Sequence, residues 1–160
     1  MKKLLLLFSI ALATLVSCNG NKDEESSLEG RWNIYKTEDG YSFSLIFKGN
    51  KLDVYIIAWG EHIEGTYTYS DNEITYNITK AKKAWTGVTF DKDGNMTSYS
   101  WDAGHMNQET FVLDEGYGWY DLPESSSDYP GYMLNKFKFE ITSATTAETD
   151  LLGGTAYKVK

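Results

Sequence analysis

From residue 28 onward, apolar and polar positions alternate with a period of two. Within residues 41–47, Phe43, Leu45 and Phe47 fall on one face. Ile63, Tyr67 and Tyr69 alternate with Thr66 and Thr68, and Ile74, Tyr76 and Ile78 alternate with Thr75, Asn77 and Thr79. Tyr99 and Trp101 alternate with Ser98 and Ser100, and Phe137, Phe139 and Ile141 with Lys138 and Glu140. Side chains of an extended chain point alternately to its two sides, so this pattern predicts strands with one buried and one wet face. Residues 52–59 are apolar on both faces and predict a more enclosed strand. No long i, i+3, i+4 apolar stripe occurs.

Turn-forming residues separate these runs at short intervals: Glu38-Asp39-Gly40, Lys48-Gly49-Asn50, Ser70-Asp71-Asn72, Asp91 to Asn95 and Gly153-Gly154. Gly, Asn and Asp tolerate the positive φ that hairpin connections require. Strands are predicted near 30–38, 41–48, 51–59, 62–70, 73–80, 84–91, 95–102, 109–114, 135–142 and 155–160. Residues 115–134 hold Gly116, Gly118, Pro123, Pro130 and Gly131, and predict the longest irregular stretch. A succession of hairpins makes an antiparallel up-and-down meander. A meander this long must hide its edges, and closure into a barrel of about eight to ten strands does so. The expected fold class is therefore all-β, in one domain spanning residues 28–160; 160 residues are too few for two well-cored units.

Composition narrows the functional classes. Aromatics make up 15% of the chain, and twelve of them are tyrosines. The formal net charge is −8; without Lys2 and Lys3 it falls by two more, to −10. An acidic domain repels phosphate backbones, which argues against nucleic acid as a partner. Cys18 is the one cysteine, so neither an intrachain disulfide nor a cysteine-based zinc site is expected.

The first residues carry their own signal. Lys2 and Lys3 precede an apolar run over residues 4–16, interrupted by Ser9 and Thr14. A membrane-spanning helix needs about 20 apolar residues, so the run fits the core of an export signal instead. Leu15-Val16-Ser17-Cys18 resembles the bacterial lipobox. That resemblance implies a signal peptide over residues 1–17, cleavage before Cys18 and acylation of that cysteine. Several acyl chains, at about 0.8 kcal/mol per buried methylene, make a durable membrane anchor. Residues 18–27 are polar and charged and read as a flexible tether. Asn19 resembles the residue of lipoproteins sent to the outer membrane. The run Lys22-Asp23-Glu24-Glu25 resembles the acidic signal some Bacteroidota-type lipoproteins use to reach the cell surface, so a periplasmic or a surface-facing location follows.

Leu28-Glu29-Gly30-Arg31-Trp32 resembles the Gly-x-Trp motif that opens the lipocalin barrel. Gly65 to Tyr69, followed by Asp71 to Thr75, is similar to the middle hairpin of small bacterial lipocalin-like lipoproteins. The resemblance implies that Gly30 and Trp32 form a plug at the closed end, with a cation from the last strand across the indole. Arg31 is the one arginine, so Lys158 or Lys160 would take that place. The Thr-Asp-Tyr motif and the C-terminal helix of that family are absent.

Candidate chemistry is sparse. His62 and His105 stand apart with no motif around them, and Asp102 and Glu109 complete no metal set. Residues 91–95 carry a faint calcium-loop pattern, but glycine is fourth instead of sixth, and a hairpin turn explains them. There is no nucleophile elbow and no phosphate-binding glycine loop. No enzyme activity, metal or cofactor is expected. What remains is aromatic. Phe43, Tyr67, Tyr76, Tyr99, Trp101, Trp119 and Tyr120 are expected to line a cup, because ligand pockets combine apolar rings with a few polar groups. A barrel of about eight strands is just wide enough to be filled by side chains or to hold one small ligand. The expected function is a lipid-anchored, monomeric protein holding a small hydrophobic or amphipathic ligand. The alternative is a surface module whose exposed Trp59, Trp85, Trp119 and Tyr120 bind a glycan or a protein.

Overall fold

The structure, a computed structural model, describes residues 27–37, 40–100, 106–124 and 134–160. The expected leader over residues 1–17, Cys18, nearly all of the expected tether, Trp101 and His105 lie outside the described residues. The described residues hold ten strands: β1 (Gly30–Thr37), β2 (Gly40–Lys48), β3 (Lys51–Ile56), β4 (Glu61–Ser70), β5 (Glu73–Phe90), β6 (Met96–Ser100), β7 (Tyr117–Asp121), β8 (Lys136–Ile141), β9 (Thr146–Thr149) and β10 (Thr155–Lys158). Every pairing is antiparallel. Hydrogen bonds close a ring of eight strands in the order β1-β2-β3-β4-β5-β8-β9-β10 and back to β1. The predicted up-and-down, barrel-like all-β architecture is thus the observed one. Closure leaves the ring no open edge, which answers the pairing hazard of a long meander.

The alternation sets which residues fill the ring. Trp32, Ile34, Leu45, Phe47, Leu52, Val54, Ile63, Ile74, Phe137 and Phe139 are all buried. Trp32 meets Phe139 edge-on at 5.3 Å, and Phe47 meets Phe139 at 5.6 Å and Tyr67 at 5.0 Å. The two ends differ. One carries the Gly49-Asn50 turn, the β4–β5 hairpin and Trp32. The far end carries a 3-10 turn (Ile57–Trp59), a second one (Leu151–Gly153) and an extension of β5. In the β4–β5 hairpin Asp71 and Asn72 both take positive φ, 53° and 62°, as a type I′ turn demands.

Beyond the ring β5 runs on between two partners. Lys83 pairs with Glu61 on one edge and Tyr120 on the other, and Thr86 pairs with Ser100 and Tyr117. The second half of β5 is therefore the middle of a three-stranded flap, with β6 on one side and β7 on the other.

Five expectations need correction. The strands predicted at 73–80 and 84–91 are one 18-residue strand. Nothing between them turns the chain; a bulge opposite Glu64 and Gly65 absorbs the change of register. The strand predicted at 109–114 is a turn flanked by a single bridge between Met106 and Leu113. Asn107 Oδ1 accepts the amides of Glu109 and Thr110, and Phe111 adopts φ 59°, which ends any extended run. The stretch 115–134 contains β7, whose Tyr117, Trp119 and Tyr120 outweigh its one glycine, Gly118, and β9 is a strand the alternation did not predict. Residues 57–59 turn away from the strand predicted over 51–59, with Gly60 at φ 61° closing the 3-10 turn.

Candidate functional site

At the first end the structure brings Gly30, Trp32 and Lys158 together. Trp32 and Lys158 are register partners across the β1–β10 seam, and Lys158 Nζ lies 5.3 Å from the centre of the indole ring. The same ammonium donates to the Ser27 carbonyl at 2.7 Å, and Trp32 Nε1 donates to the Leu28 carbonyl at 2.8 Å. Gly30 sits at φ 110°, and a Cβ there would stand 3.4 Å from Lys158 Cε. The chain entering β1 is thereby fastened over the indole.

At the far end two charged residues face inward. Glu61 shares its face of β4 with Ile63, and Lys83 shares its face of β5 with Ala81 and Trp85. Their side chains are only 4% and 11% exposed, and Lys83 Nζ stands 3.3 Å from Glu61 Oε1. Beside them Trp85 is 6% exposed. It stacks on Tyr99 of β6 at 4.1 Å and 20°, and lies 6.3 Å from Tyr120 of β7 at 22°. Its indole Nε1 is buried and finds no hydrogen-bond partner among the described residues. Tyr99 and Phe90 extend this aromatic face to solvent at 52% and 54% exposure.

The predicted cup residues divide among four places. Phe43 and Tyr76 are buried in the core. Tyr76 crosses Gly65 and donates to the carbonyls of Leu52 and Ile63, at 2.8 and 3.1 Å. Tyr67 packs on Phe47 toward the Trp32 end. Tyr99 and Tyr120 meet at Trp85. Trp119 lies on the outer wall, against His62 at 5.7 Å and Tyr55 at 6.3 Å. Trp101 is outside the described residues. Of the four tryptophans and tyrosines expected to be exposed for surface recognition, Trp85 is buried, Trp119 and Tyr120 are partly buried, and Trp59 is 44% exposed. The Glu61–Lys83 pair was missed by the sequence reading. Its signal is a charged residue in phase with Ile63 on one strand and with Trp85 on the next, legible only once the register is known.

The outer wall carries a second arrangement. Residues 106–113, between β6 and β7, cross it as a strap. Arg31 Nη1 and Nη2 donate to the Glu109 and Gln108 carbonyls at 2.8 and 2.6 Å, and its guanidinium lies 4.4 Å from the Phe111 ring. Phe111 stacks on Tyr55 at 3.9 Å and 8°, and Tyr55 stacks on its register partner His62 at 4.2 Å and 5°. His62 Nε2 is 3.3 Å from Asp53, and Nδ1 is 3.7 Å from Glu64, which in turn pairs with Lys82. Asn33 and Ser44, polar residues on the outward face, are buried there, with Ser44 Oγ donating to Asn33 Oδ1 at 2.9 Å. Burial first, then the carboxylates of Asp53 and Glu64, pushes the Tyr55 hydroxyl above its usual pKa.

Elsewhere, Asp91 closes its hairpin by accepting the amides of Asp93 and Asn95, each at 2.9 Å. Among the described residues no group of three or more His, Cys, Asp or Glu is arranged to hold a metal ion. None of their helices is long and apolar enough to cross a membrane. An open polar depression of about 370 Å³, lined by Lys138, Glu148, Thr149, Asp150, Gly154 and Thr155, lies on the wall formed by β8, β9 and β10. Fold and site together define a class: a closed eight-stranded antiparallel ring with a buried, lysine-covered tryptophan toward one end and an aromatic flap at the other. In comparisons with protein families, curated proteins and solved structures, the chain matches none.

Proposed function

We propose that this chain is a lipocalin-like lipoprotein, anchored in the bacterial outer membrane through acylated Cys18, that holds a small hydrophobic or amphipathic ligand. The ligand sits at the end of the ring away from Trp32, against Trp85, Tyr99 and Tyr120. The observation that carries this reading is the inward-facing Glu61–Lys83 pair beside that aromatic wall. A buried ion pair costs several kcal/mol to desolvate and is weak support for stability, whereas it gives an amphipathic ligand a polar end to meet. The anchor rests on the lipobox resemblance of residues 15–18. Native mass spectrometry of residues 18–160 with Cys18→Ser, which removes the acyl groups, should show a co-purified small molecule or uptake of a fatty-acid probe. Uptake should fall at least tenfold when Lys83→Met removes the ammonium of that pair. A protein that carries no molecule and takes up no probe would refute the reading.

A further inference from the structure

The two ends of the molecule differ in where the chain enters and in the charge they expose. Residues 27–29 are fastened to the rim beside Trp32. Lys158 Nζ donates to the Ser27 carbonyl at 2.7 Å, Trp32 Nε1 to the Leu28 carbonyl at 2.8 Å, and Glu29 Oε1 accepts the Gly49 amide at 2.7 Å. Cys18 lies nine residues before Ser27, and a chain of that length reaches at most about 30 Å. β5 runs from this rim to the tip of the flap over 18 residues, a length of up to about 60 Å. At the rim, Lys48 and Lys51 are register partners around Gly49-Asn50, and Lys158 stands nearby; the carboxylates of Glu29 and Asp71 oppose these three lysines. Glu73 is offset by Lys136 at 2.6 Å. At the flap the balance reverses: Asp91, Asp93, Asp114 and Glu115 are all exposed, against Lys92. Lys80, Lys82 and Lys83, at the base of the flap, are paired with Asp121, Glu64 and Glu61.

We infer that the Trp32 end, with Lys48 and Lys51 foremost, docks against the anionic phosphate headgroups of the leaflet that holds Cys18, and that the flap points away into the aqueous phase. The inference rests on the proposed anchor at Cys18 and adds the orientation of the anchored domain. The net negative charge of the chain does not oppose it. At about 0.1 M salt, charges act over about 10 Å, and the flap carboxylates lie far beyond that distance from the rim. Lysines close to an anionic leaflet are drawn to it, and carboxylates are repelled. Phe90 and Tyr99 expose more apolar surface than the rim does, but they stand among the flap carboxylates and at the end the tether leaves behind. The proposed ligand site then exchanges with the aqueous phase and not with the lipid.

Mass spectrometry of the protein extracted from bacterial membranes first reads the acyl mass on Cys18. The acylated protein then carries a bimane label at Asn50→Cys or at Asp93→Cys. It is placed in vesicles of phosphatidylcholine and phosphatidylglycerol that contain a headgroup-nitroxide lipid, a short-range quencher. Quenching should be about threefold or more stronger at position 50 than at position 93. Adding Lys48→Glu and Lys51→Glu to Asn50→Cys should remove at least half of that quenching. About 1 M salt, which screens charges beyond about 3 Å, should do the same to the unreversed protein. Quenching at position 93 that equals or exceeds that at position 50 overturns the inference. So does quenching at position 50 that survives the charge reversal or the salt, because the tether alone would then hold that end near the bilayer. Either result leaves the anchor and the ligand-binding reading standing. An extracted chain without acyl mass removes the anchor and this inference together.

Discussion

Gly65 shows how one position can constrain a whole wall. A Cβ there would stand 2.3 Å from the Asn77 carbonyl oxygen and 2.6 Å from Tyr76 Cε2, closer than packed atoms tolerate. The absent side chain lets the Tyr76 ring cross β4 and spend its hydroxyl on two buried carbonyls. Gly65→Ala must push back either a ladder strand or that ring, so it should cost about 2–3 kcal/mol, the range of overpacked cores. Urea unfolding of the variant should show the midpoint shift, and an unchanged midpoint would contradict the packing account. Tyr55 yields a pH prediction. Its hydroxyl pKa is raised in the folded protein, so the folded state holds that proton more tightly than the unfolded chain does. The stability linked to it is complete below pH 10 and is lost as pH rises through the folded value. Thermal melts should therefore fall above pH 10, and Tyr55→Phe should make the fall shallower; parallel curves would deny Tyr55 a part.

At the scale of elements, the strap over residues 106–113 depends on Arg31. The two guanidinium donors reach two successive carbonyls while the plane covers Phe111, a geometry a lysine cannot reproduce. Arg31→Lys should cost about 1–2 kcal/mol of stability and should speed proteolytic cleavage within residues 107–112 severalfold. The measurement is limited proteolysis followed by mass mapping; cleavage unchanged at those bonds would show that the strap holds without Arg31. Arg31 also reaches Asn33 and Ser44, polar residues buried on what the alternation predicts as a wet face. Arg31 Nε donates to Asn33 Oδ1 at 3.0 Å and to Ser44 Oγ at 2.9 Å, and these bonds, with the one between the two residues, meet the cost of leaving water.

At the scale of the molecule, closure depends on one seam. β10 joins β1 through three register pairs, Trp32 with Lys158, Asn33 with Tyr157 and Ile34 with Ala156. Ending the chain after Gly154 would expose an edge on β1 and another on β9 and would strip the Lys158 cation from the Trp32 ring. Such a truncation should aggregate or lose its near-ultraviolet circular dichroism. A monomer with native spectra would mean that the ring is held by its core alone. The seam also explains why Trp32 and Lys158, far apart in sequence, act as one unit.

Period-two alternation, with Gly, Asp and Asn at the corners, was sufficient for the chain to declare β1 to β4, β6, β8 and β10 and the hairpins joining the first of them, because side-chain direction and turn conformation are local properties; it split β5, missed β7 and β9 and placed a strand at 109–114 where the chain turns. The approach of Lys158 to Trp32 and Gly30 was also anticipated, through a motif at the head of the first strand and a choice between two late lysines. Three features were decided only by the folded chain. They are the long β5 with its flap, the inward Glu61–Lys83 pair beside Trp85, and the Arg31 strap. Each joins residues that are distant in sequence, Arg31 and Glu109 by 78 positions. A linear pattern fixes which side of a strand a residue occupies, but register and ring closure decide what it meets there.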